Sequence, residues 1–250
     1  MPDSPIAATP RLSSPSKMPC LSWSLPAVVT CPGAVADGGQ LVPACSGCYA
    51  AQGRYLFGSV RDVREHNLED WQRPGWADAM VAAIDGDRMR SFRAHIRRAP
   101  AASFRHYFRW FDSGDIYRAE LAGLILEVCR RTPETRHWIP TRARKDPTIA
   151  TVLAELEKLP NVVVRHSSDG VQGEILDGFA HTSTIVPDAS DFSPGRGRIV
   201  CGSSGRDGQC GPCRACWSPL IATVAYPAHG RAVAAVTLER LLPQRSALLG

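Results

Sequence analysis

The spacing of seven cysteines constrains this chain more than any other feature. Cys201, Cys210, Cys213 and Cys216 follow one another as C-x8-C-x2-C-x2-C, and Cys31, Cys45 and Cys48 form a second group near the other end. Thiolates at successive two-residue intervals can wrap one cuboidal cluster, whereas a tetrahedral zinc site more often takes two C-x2-C pairs set well apart. The C-terminal run therefore predicts a four-iron, four-sulfide (4Fe–4S) cluster, with zinc as the alternative at that site. Nine cysteines are an odd number, and residues 1–17 (MPDSPIAATPRLSSPSK) hold no apolar run suited to export. Reduced thiols in a cytoplasmic setting, used for metal ligation, explain this better than a disulfide framework.

The Pro- and Ser-rich residues 1–17 are expected to be a disordered leader. No run of about eighteen apolar residues is present, so no membrane partner is expected. From Met18 the chain predicts a strand or extended segment to Val29, then a Gly- and Pro-rich loop, with helices over 49–67 and 76–84. Strand-like and helical segments then alternate: 104–111, 119–131, 137–141, 147–158 with Asp146 as N-cap, 161–165 and 182–186. Such βα units imply parallel strands with right-handed crossovers. The expected fold class is α/β, a partial parallel (βα) barrel over residues 18–192. A Cys-rich metal-binding segment over 193–218 and a C-terminal extension over 219–250, with a helix over 233–249, complete the chain.

Three thiols in the loop after the first strand can ligate three irons of a four-iron cluster and leave the fourth open, although a lone C-x2-C pair suits a zinc half-site or a redox pair equally. Their position gives them weight, because ligands in such folds gather at the carboxyl ends of strands. Cys129 shares a helix face with Leu121, Ile125 and Val128 and is expected in the core; Cys20, in the first strand, is expected to be structural, with contact to a cluster as the alternative. Other strand ends offer Thr141 and Arg142, then Arg165, Ser167 and Ser168; Arg142 suits a carboxylate and Ser167 a ribose or phosphate. Positive charge is nearly all arginine, and between Asp87 and Asp112 seven arginines, Arg88 to Arg109, stand without an acid. That stretch reads as a solvated helix face, or as a contact for nucleic acid or a nucleotide.

The segments MPCLSWSLPA, TCPGA, CSGCYAAQGRY, WFDSGDIY, the TRA at 141–143 and CGPCRACW, in this order over about residues 18–218, resemble the phage-associated gene product 88 family. More distantly, the arrangement resembles radical S-adenosylmethionine enzymes, whose partial barrel carries three cluster cysteines after its first strand. Their usual spacing is C-x3-C-x2-C, and here the first interval is thirteen residues. That resemblance implies that the open iron takes S-adenosylmethionine, with Tyr49 beside the cluster. It also implies that Asp112, Ser113, Gly114 and Asp115 play the part of the family's Gly-Gly-Glu-like segment, which holds the cofactor's amino group. Asp112–Asp115 equally suits a strand-to-helix turn with Asp115 as the cap.

The expected function is thus an iron–sulfur enzyme carrying one or two 4Fe–4S clusters and S-adenosylmethionine, served by an electron donor. A zinc-stabilised nucleic-acid-binding phage protein is the alternative, and a simple electron carrier is a third class that this chain length exceeds.

Overall fold

The computed structural model describes residues 9–228 and 235–249. Runs rich in β-branched and aromatic residues pair side by side as β1 (Ser22–Trp23), β2 (His106–Trp110), β3 (Thr135–Thr141), β4 (Val162–Ser167), β5 (Thr182–Val186), β6 (Arg198–Val200) and β7 (Thr223–Pro227). Every pairing is parallel, in the order β1-β2-β3-β4-β5-β7-β6. The first five strands thus lie side by side in chain order. Among the described residues β1 and β6 are the two ends of the sheet and do not pair with each other.

The helices are α1 (Pro43–Ser46), α2 (Gly58–Asp70), α3 (Trp76–His95), α4 (Ala119–Arg131), α5 (Pro147–Glu157) and α6 (Ala235–Leu249). One stripe of α4, including Leu121, Ile125, Val128 and Cys129, is fully buried. It meets Phe108, Trp110, Ile139 and Val164 from the strands and Met80 and Ile84 from α3 in one core. Each such side chain contributes about 1.5–3 kcal/mol. Trp23 anchors the end of this core, with edge-on contacts to Trp76 at 5.2 Å and Trp110 at 6.0 Å. Asp146 caps α5 by accepting from the N–H groups of Thr148 and Ile149, as its position predicts.

The opposite face of the sheet carries a different population. Ser22, Arg109, Trp138 and Val163 lie in register across β1 to β4, so their side chains point the same way. Trp217, from the Cys-rich segment, packs against Tyr107 and Trp138 there, and its indole N–H donates to the Phe108 carbonyl at 2.9 Å. The fully buried Arg165 of β4 holds the same segment, donating to the carbonyls of Ala215, Ile221, Ala222 and Thr182 at 3.0–3.3 Å. Core helices therefore cover one face of the sheet, and the Cys-rich segment covers part of the other.

Several sequence expectations change. Of the strand or extended segment expected over 18–29, only Ser22–Trp23 is paired strand, because Pro19 and Pro26 flank it and cannot donate to a ladder. The helix expected from Tyr49 starts at Gly58 and follows two 3-10 turns, since Gly53 (φ 58°) interrupts the backbone. The helix expected to end at Ile84 runs on to His95, carried by Arg88–Asp85 and Arg90–Asp87 pairs three residues apart. Part of the expected leader is ordered. Ser13 pairs with Ser22, Arg11 exchanges hydrogen bonds with the buried Asn67, and Pro10 is buried, while residues 1–8 lie outside the described residues. β6 and β7, which lie beyond residue 192, belong to the same sheet as β1 to β5. The expected C-terminal helix is present from Ala235, its first two residues lying outside the described residues. No helix of the described residues is long and apolar enough to cross a membrane.

Candidate functional site

The carboxyl ends of β1 to β4 converge, and hydrogen bonds from backbone and side chains tie them together. Leu25 N–H, just past β1, donates to the Ser113 carbonyl past β2 at 3.1 Å. The Asp115 carboxylate accepts from Ile116 N–H at 2.8 Å and from Arg142 N–H, past β3, at 2.7 Å. Arg142 Nε donates to the Ser168 carbonyl past β4 at 2.9 Å, and Ala44 N–H in the cysteine loop donates to Asp169 at 2.9 Å. The loop also presses on the end of β3 at Gly33, where a Cβ would meet the Cβ and carbonyl oxygen of Arg142 at 2.5 Å. Only glycine lets the loop that carries Cys31 lie on the end of β3.

Within this ring Cys31, Cys45 and Cys48 come near one another. Burial pushes the Cys31 thiol up, and the charges of Asp115, Cys45 and Cys48 add to that. Burial pushes Cys45 up to about 11 against the pull of Arg142. Burial also raises Cys48, partly offset by the nearby backbone of Ala50 and Ala51 and by Arg142. Val28, three residues before Cys31, has φ 67°, a conformation that a β-branched residue holds only when its surroundings impose it.

The other residues singled out in the sequence divide by task. Asp112 is consumed by structure: Arg64 contacts Oδ2 at 3.1 Å, Tyr55 OH donates to it at 3.2 Å, and Ser24 OH donates to Oδ1. Ser113 donates to the Leu25 carbonyl at 2.7 Å and accepts from Arg64 Nε. Gly114 (φ 74°) presses against Leu25 and Thr30, where a Cβ would lie 2.8 Å from the Leu25 carbonyl oxygen. The expected helix cap at Asp115 is not found, because α4 begins at Ala119 after Arg118 and the carboxylate faces Arg142 instead. Burial lifts Asp115 to about 6, although its hydrogen bonds from Arg142, Thr141 and Ile116 pull it down. Tyr49 donates to the Asp112 carbonyl at 2.8 Å, with its ring partly exposed. Ser167 meets Ser183 at 2.9 Å within the sheet.

Around Asp169 gather Lys145 Nζ at 2.6 Å and the guanidinium groups of Arg142 and Arg144 at 3.8 Å, three cations to one carboxylate. Sequence reading picked Arg142 alone. Arg144 and Lys145 sit in the next turn of backbone, and only the fold shows that all three share Asp169.

The C-terminal cysteines gather on the opposite face of the sheet. Cys201 follows β6 and donates its N–H to Ala225 of β7 at 2.7 Å, and Cys216 Sγ lies 3.3 Å from Tyr226 OH. Burial pushes Cys216 up to about 11, with Cys201 adding to the shift; burial also raises Cys210, beside Cys201 and Cys213. Cys213 is exposed. Arg109, expected on a solvated face or at a nucleic acid or nucleotide, lies on this face of the sheet beside Trp138. Its guanidinium lies 4.5 Å over Trp138, donates to Tyr49 OH at 3.1 Å, and faces Cys210 and Cys216. Arg109 Nε, Ser22 Oγ and Trp138 Nε1 are buried without a hydrogen-bond partner among the described residues.

Among the described residues no group of three or more His, Cys, Asp and Glu side chains is closed up to hold a single metal ion. The metal centres expected on Cys31, Cys45 and Cys48 and on Cys201, Cys210, Cys213 and Cys216 are thus neighbouring thiols, not preformed ion sites. One zinc ion sits about 2.3 Å from each sulfur and draws its thiolates into contact. A four-iron cluster has metal and sulfide atoms between its thiolates and spaces them more widely. Cys45 has Arg142 beside it, and Cys210 and Cys216 have Arg109, so thiolates at either place would stand next to positive charge.

Comparison with known proteins gives a family and no function. No curated protein matches the chain, and no solved structure does. A family model described as Gene product 88 matches residues 4–219, which is most of the chain, and the protein therefore belongs to the gene product 88 family.

Proposed function

We propose that this protein is an iron–sulfur enzyme of the radical S-adenosylmethionine kind, built on a parallel sheet curved as a partial barrel. Cys31, Cys45 and Cys48 would hold a 4Fe–4S cluster whose open iron takes S-adenosylmethionine. One observation carries the reading. Three thiols at the carboxyl end of the first strand of an all-parallel sheet lie beside the strand ends that bear Asp115 and Arg142.

When bound, the cluster and its ligand supply one-electron reductive cleavage of a sulfonium, which an external electron donor must sustain. The chain's own residues bind and orient. Arg142, with Arg144 and Lys145 beside it, offers positive charge to the cofactor's carboxylate. Asp115 offers a carboxylate to its ammonium, and Tyr49 a partly exposed ring and hydroxyl. Asp112, Ser113 and Gly114 act through the scaffold, holding the β2 end against Leu25. Ser167 takes part the same way, through its pairing with Ser183. The group on Cys201, Cys210, Cys213 and Cys216 is auxiliary, with iron–sulfur favoured over zinc by its spacing.

A second reading rests on Arg93, Arg97, Arg98 and Arg105, which are exposed on and after the end of α3 and suit phosphate contacts. It predicts zinc in place of clusters and an affinity for nucleic acid that falls steeply with salt. Purification without oxygen, followed by iron, sulfide and zinc analysis and electron paramagnetic resonance with and without S-adenosylmethionine, separates the two. About four to eight irons per chain, as one or two four-iron clusters give, with a spectrum that S-adenosylmethionine perturbs, is the expected result. Zinc without sulfide would overturn it.

A further inference from the structure

We propose that Cys20 supplies a thiolate ligand to the C-terminal metal centre, so that one metal group fastens the segment before β1 to the loop between β6 and β7. The inference rests on the reading of Cys201, Cys210, Cys213 and Cys216 as a metal centre and goes beyond it. The spacing of those four residues gives no place to a cysteine from the other end of the chain.

The backbone already brings the two segments together. Cys210 N–H donates to the Lys17 carbonyl at 3.0 Å. Gly208, at φ 78°, lies so close to Lys17 that a Cβ there would stand 2.8 Å from its Cδ. Lys17 and Cys20 precede β1, at one end of the sheet, and Cys201 follows β6, at the other. Their meeting therefore requires the Cys-rich loop to reach across the sheet's inner face.

The thiol's surroundings distinguish it from a packing cysteine. Cys129 lies among apolar side chains of the main core. Cys20 instead has the Cys210 sulfur and the guanidinium groups of Arg109 and Arg214 as neighbours. The same two arginines face Cys210, and Arg109 also faces Cys216. Arg109 Nε is buried and has no acceptor among the described residues, and neither do Ser22 Oγ, two residues after Cys20, and Trp138 Nε1 beside it. The fully buried Arg165 faces Cys216 as well, and its Nε is also without a partner. Buried cations and unpaired donors around a group of neutral thiols are costly. Around a thiolate-ligated metal group, which carries net negative charge, they become compensating charge and hydrogen-bond donors. Cys20 sits inside that electropositive shell with Cys210, whereas Cys213 is the exposed member of the group.

The test uses the full chain with Cys45→Ala and Cys48→Ala, so that bound metal reports on the C-terminal centre. This chain is loaded anaerobically with iron and sulfide or with zinc, and compared with versions that add Cys20→Ser or Cys129→Ser. Cys20→Ser is expected to lose at least half of the metal or to shift the cluster's paramagnetic spectrum, and Cys129→Ser to change neither. In the chain that retains Cys20, metal loading should slow alkylation of that thiol at least tenfold relative to the metal-stripped protein, read by peptide mass spectrometry. The alkylation arm stands even if Cys20→Ser folds poorly. Unchanged metal, spectrum and alkylation overturn the Cys20 assignment and leave the C-terminal centre standing. A double-alanine chain that binds no metal overturns the centre and the assignment together.

Discussion

The Asp115 carboxylate accepts the Arg142 backbone N–H at 2.7 Å, which joins the end of β2 to the end of β3 beside Cys31. Burial holds this carboxyl up to about 6, above the roughly 3.9 of an unfolded aspartate. The folded chain thus binds this proton more tightly than the unfolded one. The contribution to stability is greatest below about pH 4, falls as pH rises to about 6, and is level above that. The stability of the natural chain relative to Asp115→Asn should fall by about 2 kcal/mol between pH 4 and pH 7. Urea titrations at a series of pH values measure it, and a difference independent of pH would sink the prediction. The variant comparison is needed because burial draws His137 down to about 3, and that group acts in the opposite direction over the same range.

Arg64 and Asp112 form an ion pair at 3.1 Å with both side chains almost wholly buried. Arg64 also reaches the Val60 carbonyl and Ser113, so α2 is fastened to the end of β2 through one guanidinium. Arg64→Met leaves the Asp112 charge buried without its partner and should cost about 3–5 kcal/mol. Adding Asp112→Asn should restore part of that loss, because the uncompensated charge is then gone. Chemical denaturation of the three chains tests this, and a single-variant loss below about 1 kcal/mol would show the pair to be effectively solvated.

Much of the scaffold could be read from the sequence because its signals are local. The helix Ala119–Arg131 and the strand Thr182–Val186 were expected at their observed bounds, the first from its apolar stripe and the second from its β-branched run. Asp146 as a cap was legible for the same reason, since a cap acts within one turn. What stayed hidden depends on distant partners. Nothing near Arg109 in sequence tells that its charge faces Cys20 and Cys210 instead of solvent. Nor does Asp112 announce Arg64, or Arg165 the four carbonyls it gathers. The two cysteine groups were visible as spacing, while the contact between Lys17 and Cys210 exists only once the sheet has formed.

Gly33 gives a sharp test of how the first cysteine is placed. An added Cβ would collide with the Arg142 Cβ and carbonyl oxygen at 2.5 Å, and the neighbour is backbone at the end of a sheet strand, which cannot yield. Gly33→Ala should displace the Cys31 loop and lose the N-terminal metal while the C-terminal centre, held to the sheet through Trp217 and Arg165, is retained. Metal and sulfide analysis of the variant reads this as roughly half the content of the natural chain, as for one of two like clusters. Full content would mean that the loop ligates without resting on β3.

The two cysteine groups come from different ends of the chain, one resting on the carboxyl ends of the strands and the other in the segment that packs on Tyr107 and Trp138, so their functions should separate. Cys45 and Cys48 lie in the loop that also carries Ala44 against Asp169, within reach of Arg142 and Asp115. Removing both thiols with Cys45→Ala and Cys48→Ala takes away two of three proposed ligands, and a single remaining thiolate cannot hold a cluster. Binding of S-adenosylmethionine, measured by titration calorimetry under anaerobic conditions, should then vanish. Metal bound by Cys201, Cys210, Cys213 and Cys216 should persist, because Arg165 and Trp217 hold that segment to the sheet independently of the N-terminal loop. If S-adenosylmethionine binds the double variant unchanged, its site does not lie at the N-terminal thiols. The cations around Asp169 would then be the place to look for what this end of the sheet recognises.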